Sequence, residues 1–321
     1  MTLDGVRRLF TRHGKTLLIY GLLVALSVVA TIVNPAFAEP RNLFSVLRQA
    51  IPLSLVAIGQ TFVVLTGGID FTTGAVAGLV AVTVATVVAG DPSLIAAGVA
   101  LAIVIGLAAG SLSGGLVAMV RAMPFIVTFG VAGVLVGITL TIADGPTGRV
   151  PIEFLAIYDA RLGDLPVSVI AVAGIWAVSW IVLARTRFGR HIYAVGGNTE
   201  TARLAGIPVG RVLASAYVVS GVMASLAGLF LLARSGVGDP TFGAGFDFLS
   251  ITAVTVGGVS LYGGTGSLLG TLGGVLLLTF ISNIFNITQV DIFYQQLLTG
   301  AIILVAVALY RPRLIGRESN V

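Results

Sequence analysis

Residues that could do chemistry are few in this chain, and they are not grouped as an active site requires. The two histidines, His13 and His191, lie in separate segments, and there is no cysteine. No phosphate-binding glycine loop of the Walker type and no helical HExxH metal pair occurs. We therefore expect no catalytic site, no bound metal and no cofactor.

The remaining polar residues are concentrated in one stretch, residues 185–212, which carries five of the eighteen Lys and Arg residues. Asn198 suits a helix N-cap, Glu200 falls in the first turn, and Gly206 suits the position after a helix end. This pattern predicts a helix of about seven residues, and isolated helices below about 12–15 residues are marginal in water. The helix must therefore dock on its own chain or on a partner, unless the stretch is only a solvated basic connector.

The surrounding sequence has the composition of an integral membrane protein. Hydrophobic residues make up 57% and charged residues 10% of the 321 residues, whereas soluble domains carry about 25% charged residues. Uniformly apolar runs of about twenty residues cross a bilayer as helices and exclude a barrel of alternating strands. The predicted fold class is all-α, a polytopic bundle in membrane lipid. The net charge of +5 reflects orientation in the membrane and gives no indication of nucleic acid binding.

Dividing the apolar runs at charges, prolines and glycine clusters predicts ten membrane spans. Their approximate bounds are 16–33, 49–66, 72–89, 93–120, 124–143, 166–184, 213–233, 248–262, 266–285 and 292–310. With both termini and residues 185–212 in the cytoplasm, thirteen of the eighteen basic residues lie inside. We expect residues 1–321 to form a single transmembrane domain.

Glycines interrupt the apolar pattern at two places, residues 66–72 and residues 257–264, both on the predicted cytoplasmic side. Such breaks occur at membrane depth only where protein or water shields the backbone. Residues 248–285 therefore form either two full spans or a re-entrant pair. In the first break, Gly67 and Gly68 mark a turn at the cytoplasmic mouth. Asp70 is either the cap of the next helix or a contact at that mouth.

Two runs of sequence resemble a known family. They are GQTFVVLTGGIDFTTGAVAGL, from Gly59 to Leu79, and RFGRHIYAVGGNTETARLAGI, from Arg187 to Ile207. Both are similar to the membrane permease subunits of the ribose-type family of bacterial ABC importers, and the similarity of order and spacing covers nearly the whole chain. The second run resembles the cytoplasmic coupling helix of that family. The coupling residues that the resemblance implies are Gly197, Asn198, Glu200, Ala202, Arg203, Leu204 and Gly206.

The resemblance also implies a function and partners. The chain would be a transport subunit of the bacterial inner membrane, without enzymatic activity, carrying a monosaccharide such as ribose, xylose or galactose. Its partners would be a separate ATPase subunit, a periplasmic binding protein and a second permease copy. The predicted spans agree, because they contain no acidic or basic residue except Arg48 and Asp70 at their ends, whereas ion-coupled carriers place such groups in the membrane. A permease for branched-chain amino acids or nucleosides and an autonomous secondary carrier are the alternatives.

A neutral sugar needs hydrogen-bonding groups and aromatic faces along its path, but little charge. The candidates in or near the spans are Gln60, Thr61, Thr66, Phe125, Thr128, Asn283 and Asn286. Bonds between helices are the alternative role for Gln60 and the threonines, and packing is the alternative for Phe125. The external loop from Asp144 to Pro166 has mixed charge, which suits docking of the binding protein or simple solvation.

Overall fold

The computed structural model describes residues 3–120 and 123–309. Several basic residues of the orientation count lie outside this description: Arg121, those of the C-terminal tail, and the side chains of the N-terminal tail. The end of the tenth predicted span, residue 310, also lies outside it.

Thirteen α-helices and one short hairpin make up the described chain, which confirms the all-α class. The helices are α1 (Leu3–Val33), α2 (Pro40–Leu65), α3 (Thr73–Val88), α4 (Ile95–Met119), α5 (Pro124–Ile142), α6 (Ile152–Asp159), α7 (Val167–Arg185), α8 (Arg187–Gly197), α9 (Thr199–Leu204), α10 (Val209–Ser235), α11 (Phe246–Val256), α12 (Leu268–Ile287) and α13 (Ile292–Leu309). Strands β1 (Arg161–Leu162) and β2 (Leu165–Pro166) pair antiparallel between α6 and α7.

Each predicted span corresponds to one helix, but not every one of these helices is long enough to cross a membrane. Among the described residues, six helices are long and apolar enough to cross a membrane by length and composition: α2, α4 with its preceding turn, α5, α7, α10 and α12. The apolar part of α1 and the helices α3 and α11 are shorter. The count of ten spans stays a prediction.

The second span is longer than predicted, because α2 begins at Pro40 and not near residue 49. The sequence was divided at Arg48, yet Arg48 lies inside the helix, 5.0 Å from the centre of the Tyr158 ring. An arginine can remain in a largely apolar helix when its stem is packed and its head lies over an aromatic face. Arg48, which the sequence pattern places at the end of a span, therefore lies well inside α2.

Helix α10 lies at the centre of the bundle, packed against α2, α3 and α4. Gly106, Gly110 and Gly114 follow one another at four-residue spacing on the face of α4 that meets α10. A Cβ atom at Gly110 would lie 2.7 Å from the Cα of Val218 on α10. The two backbones therefore approach as closely as small-residue seams allow in membrane proteins.

The third predicted span, 72–89, matches α3, and the residues just before it, 67–72, are not helical. We call residues 67–88 the broken third span. Helix α2 ends at Leu65, the chain turns at Gly67 with a φ of +84°, and α3 begins only at Thr73. The intervening residues return beside α2, so that the backbone of Asp70 lies within hydrogen-bonding distance of the Gln60 amide. The first predicted glycine break is thereby confirmed.

In residues 248–285, α12 has 20 residues and is long and apolar enough to cross a membrane, whereas α11 has only 11 and ends at Val256, before the predicted residue 262. Helix α11 ends there because Gly257 packs against the backbone of Gly270 on α12 and Gly258 turns the chain with a φ of +83°. The choice between two full spans and a re-entrant pair stays a prediction.

A non-helical stretch, residues 236–245, precedes α11, and we call this stretch together with α11 the broken eighth span. The stretch runs antiparallel along α3, with Gly238 against Ala85, Pro240 against Gly78 and Gly243 against Gly74. The first turns of α3 and α11 consequently lie side by side inside the bundle.

Candidate functional site

The polar stretch 185–212 contains two helices rather than the single short one predicted. Helix α8 is capped by Thr186, whose hydroxyl accepts from the Gly189 N–H at 3.2 Å. It buries Ile192 and Val195 in the bundle, and the ring of Phe188 stacks on Phe62 of α2 at 6.2 Å. The three apolar residues of α8 have the spacing i, i+4 and i+7, which is typical of a docked amphipathic helix and could have indicated α8 from the sequence.

Helix α9 has the ends that the sequence predicted. The Asn198 side chain accepts from the Thr201 N–H at 2.8 Å, as an N-cap does. Gly206 has a φ of +78°, its N–H donates to the Arg203 carbonyl at 2.9 Å, and the next N–H donates to the Ala202 carbonyl at 3.0 Å. These two bonds form a Schellman motif, so the six-residue helix is fixed at both ends.

The predicted coupling residues divide between the two faces of α9. Ala202 is 3% exposed and packs into the hydrophobic core. Glu200 and Arg203 are about two-thirds exposed and form an ion pair of 2.8 Å with each other. Leu204 is 81% exposed. Gly197 and Asn198, before the helix, and Gly206, after it, are exposed as well. The helix therefore docks through Ala202 and presents the charged pair and a leucine outward.

Three segments meet where α8 ends, and we call this contact the glycine junction: residues 65–68, 193–197 and 263–266. The Gly264 N–H donates to the Leu65 carbonyl at 2.9 Å, and the Tyr193 hydroxyl donates to the Gly266 carbonyl at 3.0 Å. Gly196 packs directly on the Leu65 carbonyl, and a Cβ there would lie 2.6 Å from the Gly264 nitrogen. Both glycine breaks therefore share a side with the polar stretch, as predicted, and the contact between them is new.

Asp70 is fully buried and does not present its carboxylate at a mouth. Its Oδ1 accepts from the N–H and the hydroxyl of Thr72, at 2.8 and 2.6 Å. The N-cap position of α3 is Thr72, so the helix-cap prediction for Asp70 is corrected: its carboxylate closes the turn before the helix. Gly67 is exposed at this turn, whereas Gly68 is buried against the Tyr217 hydroxyl.

Some of the predicted pathway residues support the same turn. With its amide oriented to satisfy both groups, Gln60 donates to the Asp70 carbonyl at 3.1 Å and accepts from the Asp70 N–H at 3.3 Å. Thr128 donates to the Ile69 carbonyl at 3.1 Å, and so does the buried Tyr217, at 3.4 Å, which the sequence analysis missed. These bonds satisfy a backbone that has no helical partners.

The other pathway candidates make contacts between or within helices. The hydroxyl of Thr61 pairs with that of Thr271 at 2.9 Å, and Thr66 bonds the carbonyl of Val63 within its own helix end. Asn283 exchanges amide bonds of 3.1 and 3.2 Å with Asn42. Asn286 is exposed near the end of α12. Of the seven candidates, Phe125 alone belongs to an aromatic cluster, with its ring 5.1 Å from Phe71.

Within the described ranges, no three His, Asp or Glu side chains are grouped closely enough to hold a metal ion.

Comparison with known proteins places the chain. Residues 42–307 match the family described as branched-chain amino acid transport system / permease component. The chain is 38% identical over 296 residues to the ribose import permease protein of Bacillus subtilis, covering 91% of each chain. It is 34% identical over 298 residues to the D-allose transport system permease protein of Escherichia coli, covering 91% of each. It is 33% identical over 300 residues to the fructose import permease protein of Rhizobium meliloti, covering 90% of this chain and 82% of that one. No solved structure matches the chain. The chain therefore belongs to this family of transport permeases and is a multi-pass membrane protein.

Proposed function

We propose that this chain forms the membrane pathway of an ATP-driven importer for a monosaccharide in the bacterial inner membrane. The observation that carries the substrate class is that relatives named for ribose, D-allose and fructose all match along about nine-tenths of this chain. These relatives are named for different sugars and are all similar to this one chain. The family description names branched-chain amino acids, which remain the second candidate substrate.

The ATP-hydrolysing partner would dock on the outward face of α9. This face offers an exposed ion pair, Glu200 with Arg203, and the exposed side chain of Leu204. Because α9 is capped at both ends, we expect it to move as one unit. A displacement imposed by the ATPase would then be transmitted to the residues on which α9 packs. Through Ala202 and the glycine junction, that displacement would reach the ends of both broken spans.

The remaining parts of the proposal follow from the predicted orientation. Ten spans would place both termini and α9 in the cytoplasm. The opposite end of the bundle, which includes α6 and the β1–β2 hairpin, would receive the periplasmic binding protein. A second copy of this permease would complete the membrane domain.

An autonomous secondary carrier is tested directly, because the spans are not free of charge. Arg48 lies within α2, and Asp70 is buried in the broken third span, so the absence of ionisable groups no longer argues against ion coupling. The chain is reconstituted in proteoliposomes, alone and together with its ATPase and binding protein.

Uptake of labelled ribose, allose, fructose and leucine is then measured with and without ATP inside the vesicles. We expect sugar uptake only with all components and ATP. Sugar uptake by the chain alone would establish a secondary carrier. Leucine uptake that sugars do not inhibit would establish an amino-acid permease.

A further inference from the structure

A cavity of about 500 Å³ lies along one face of α5, and none of the predicted pathway residues lines it. Its α5 wall includes Phe129, Val136 and Thr139, and it continues to Asp144 just beyond the helix. From Phe129 to Leu140 this wall is about 17 Å long at 1.5 Å per residue. We call this cavity the α5 groove.

The opposite wall of the α5 groove is formed by the two broken spans. Gly74, at the start of α3, and residues 240–245, before α11, face α5 across the cavity. Non-helical backbone at membrane depth is tolerated where it lines a watery cavity. A watery groove would therefore account for the non-helical backbone that lines it.

Phenylalanines gather beside the α5 groove, where Phe71 and Phe129 line its wall. The ring of Phe71 stands edge-on to three others, with centroid distances of 5.1 Å to Phe125, 6.1 Å to Phe129 and 5.3 Å to Phe248. The rings come from α5, from α11 and from the break before α3, so they lie where these three elements meet. We call these four residues the phenylalanine plug.

The groove also carries polar groups suited to a hydroxyl-rich solute. Asp247, in the first turn of α11, lines the groove together with Asp144, Thr139 and Thr241, and the hydroxyl of Thr139 donates to the Leu135 carbonyl within α5. The backbone N–H and the hydroxyl of Thr241 donate to the Asp239 carboxylate at 2.8 and 2.6 Å, and these two bonds fix the Thr241 side chain. A carboxylate accepts hydrogen bonds from sugar hydroxyls, while aromatic rings pack against the apolar face of the sugar ring.

We propose that the α5 groove is the outer half of the sugar pathway and that the phenylalanine plug is its closed inner gate. The proposal rests on the function and orientation proposed above, which place Asp144 at the periplasmic end. The sugar enters past Asp144, meets Asp247 in front of the plug, and passes inward when the plug separates. The plug can separate because Phe71 and Phe248 lie on the two broken spans that the glycine junction ties to α8.

The chain contains no cysteine, so single cysteines can be introduced without background. Val136 lies in the groove, whereas Val134 lies on another face of α5, beside Leu112 and Leu116 of α4. The two valines are 45% and 59% exposed, so the pair separates position in the groove from exposure. Val136→Cys and Val134→Cys are placed in the complete importer in intact cells and treated with a charged, membrane-impermeant methanethiosulfonate.

We expect Val136→Cys to react at least about tenfold faster than Val134→Cys. Contact with hydrocarbon raises the pKa of a thiol by at least about one unit, and only the thiolate reacts. Ribose should slow the reaction at Val136→Cys. Equal rates, or a silent Val136→Cys, would overturn the groove, because lipid or a second copy would then fill it. Protection by leucine instead of ribose would leave the groove standing and overturn the proposed substrate, so the two failures are distinguishable.

The gate has its own measurement. Phe129→Ala should increase ATP-independent leak of preloaded ribose from vesicles that contain the complete importer, and Phe129→Leu, which keeps most of the apolar bulk, should leak less. A second variant, Phe248→Ala, guards against a local effect at Phe129. Leak at the wild-type level in both alanine variants, with Val136→Cys still reactive, would place the gate elsewhere.

Discussion

The backbone N–H of Gly264 donates a 2.9 Å hydrogen bond to the carbonyl of Leu65. This bond joins the turn that follows α11 to the end of α2, where the other broken span begins. Gly196 of α8 packs against both partners. A displacement of α8 would therefore act on both breaks at the same time.

Gly196→Ala should destabilise the protein. The new methyl group would collide with the Leu65 carbonyl and the Gly264 nitrogen, which are backbone atoms that cannot rotate away. Overpacking of this kind costs about 1–3 kcal/mol, which lowers the midpoint of thermal unfolding in detergent. Gly197→Ala is the matched control, because nothing lies within 4 Å of its added Cβ. Equal midpoints for the two variants would contradict the tight contact at the glycine junction.

Glu200→Arg combined with Arg203→Glu should uncouple ATP hydrolysis from uptake. The double variant retains an ion pair within α9 but reverses the charges that face the ATPase. Placing the cation in the first turn opposes the helix dipole by only about 0.3–1 kcal/mol, so the protein should remain in the membrane at the wild-type level. The measurements are sugar-stimulated ATPase activity and ATP-driven uptake. Uptake at the wild-type rate would refute the coupling role of α9.

Asn283→Ala should affect stability more than sugar recognition. The variant leaves the Asn42 Oδ1 without its donor, while the Asn42 Nδ2 still donates to the Phe37 carbonyl at 2.9 Å, and the lost bonds cost about 0.5–1.5 kcal/mol each. The unfolding midpoint should fall, while the KM for sugar uptake in the remaining folded protein stays unchanged. Replacing both residues by leucine removes both polar groups and should recover part of the midpoint. A raised KM with an unchanged midpoint would instead support the predicted pathway role of Asn283.

Asp70→Asn and Asp70→Ala distinguish a turn-forming role from a role for charge. Asparagine keeps an oxygen that can accept from the Thr72 N–H, whereas alanine leaves this buried donor without a partner. We expect wild-type uptake and stability for Asp70→Asn, and for Asp70→Ala a loss of stability of about 1–3 kcal/mol. If Asp70→Asn folds normally and loses uptake, the carboxylate acts through its charge, as an ion-coupled carrier would require.

The sequence predicted the elements whose signals are local. The ends of α9 could be read because Asn198 and Gly206 are residue types that act within one helical turn. Both glycine breaks could be read because glycine clusters interrupt an otherwise apolar pattern. The extent of α2 was underestimated because the ring that covers Arg48 comes from Tyr158, more than a hundred positions away.

The site depends on contacts between distant segments, and these were not predicted. Polarity alone selected Thr61 and Asn283, which bond to other helices, as pathway residues. The groove is lined by Phe129, Val136 and Asp247. Phenylalanine and valine are equally common inside packed bundles, and aspartate is equally common in solvated loops, so these residue types alone do not indicate a cavity. The return of residues 238–243 along α3 brings Asp247 beside Gly74 and so to the cavity that Phe129 and Val136 of α5 line.

The missing helical turns at Pro240 to Gly245 also bear on hydration. Residues of this non-helical stretch line the α5 groove, and in a membrane non-helical backbone must be shielded by protein or kept wet. A wet groove lets an entering sugar exchange bonds to water for bonds to the wall one at a time, since ordered water binds nearly as well as a protein group. The solute then never crosses a dry layer until the phenylalanines part. In the proposed pathway, the largest desolvation step would thus fall at the phenylalanine plug, where the proposed ATPase partner would supply work.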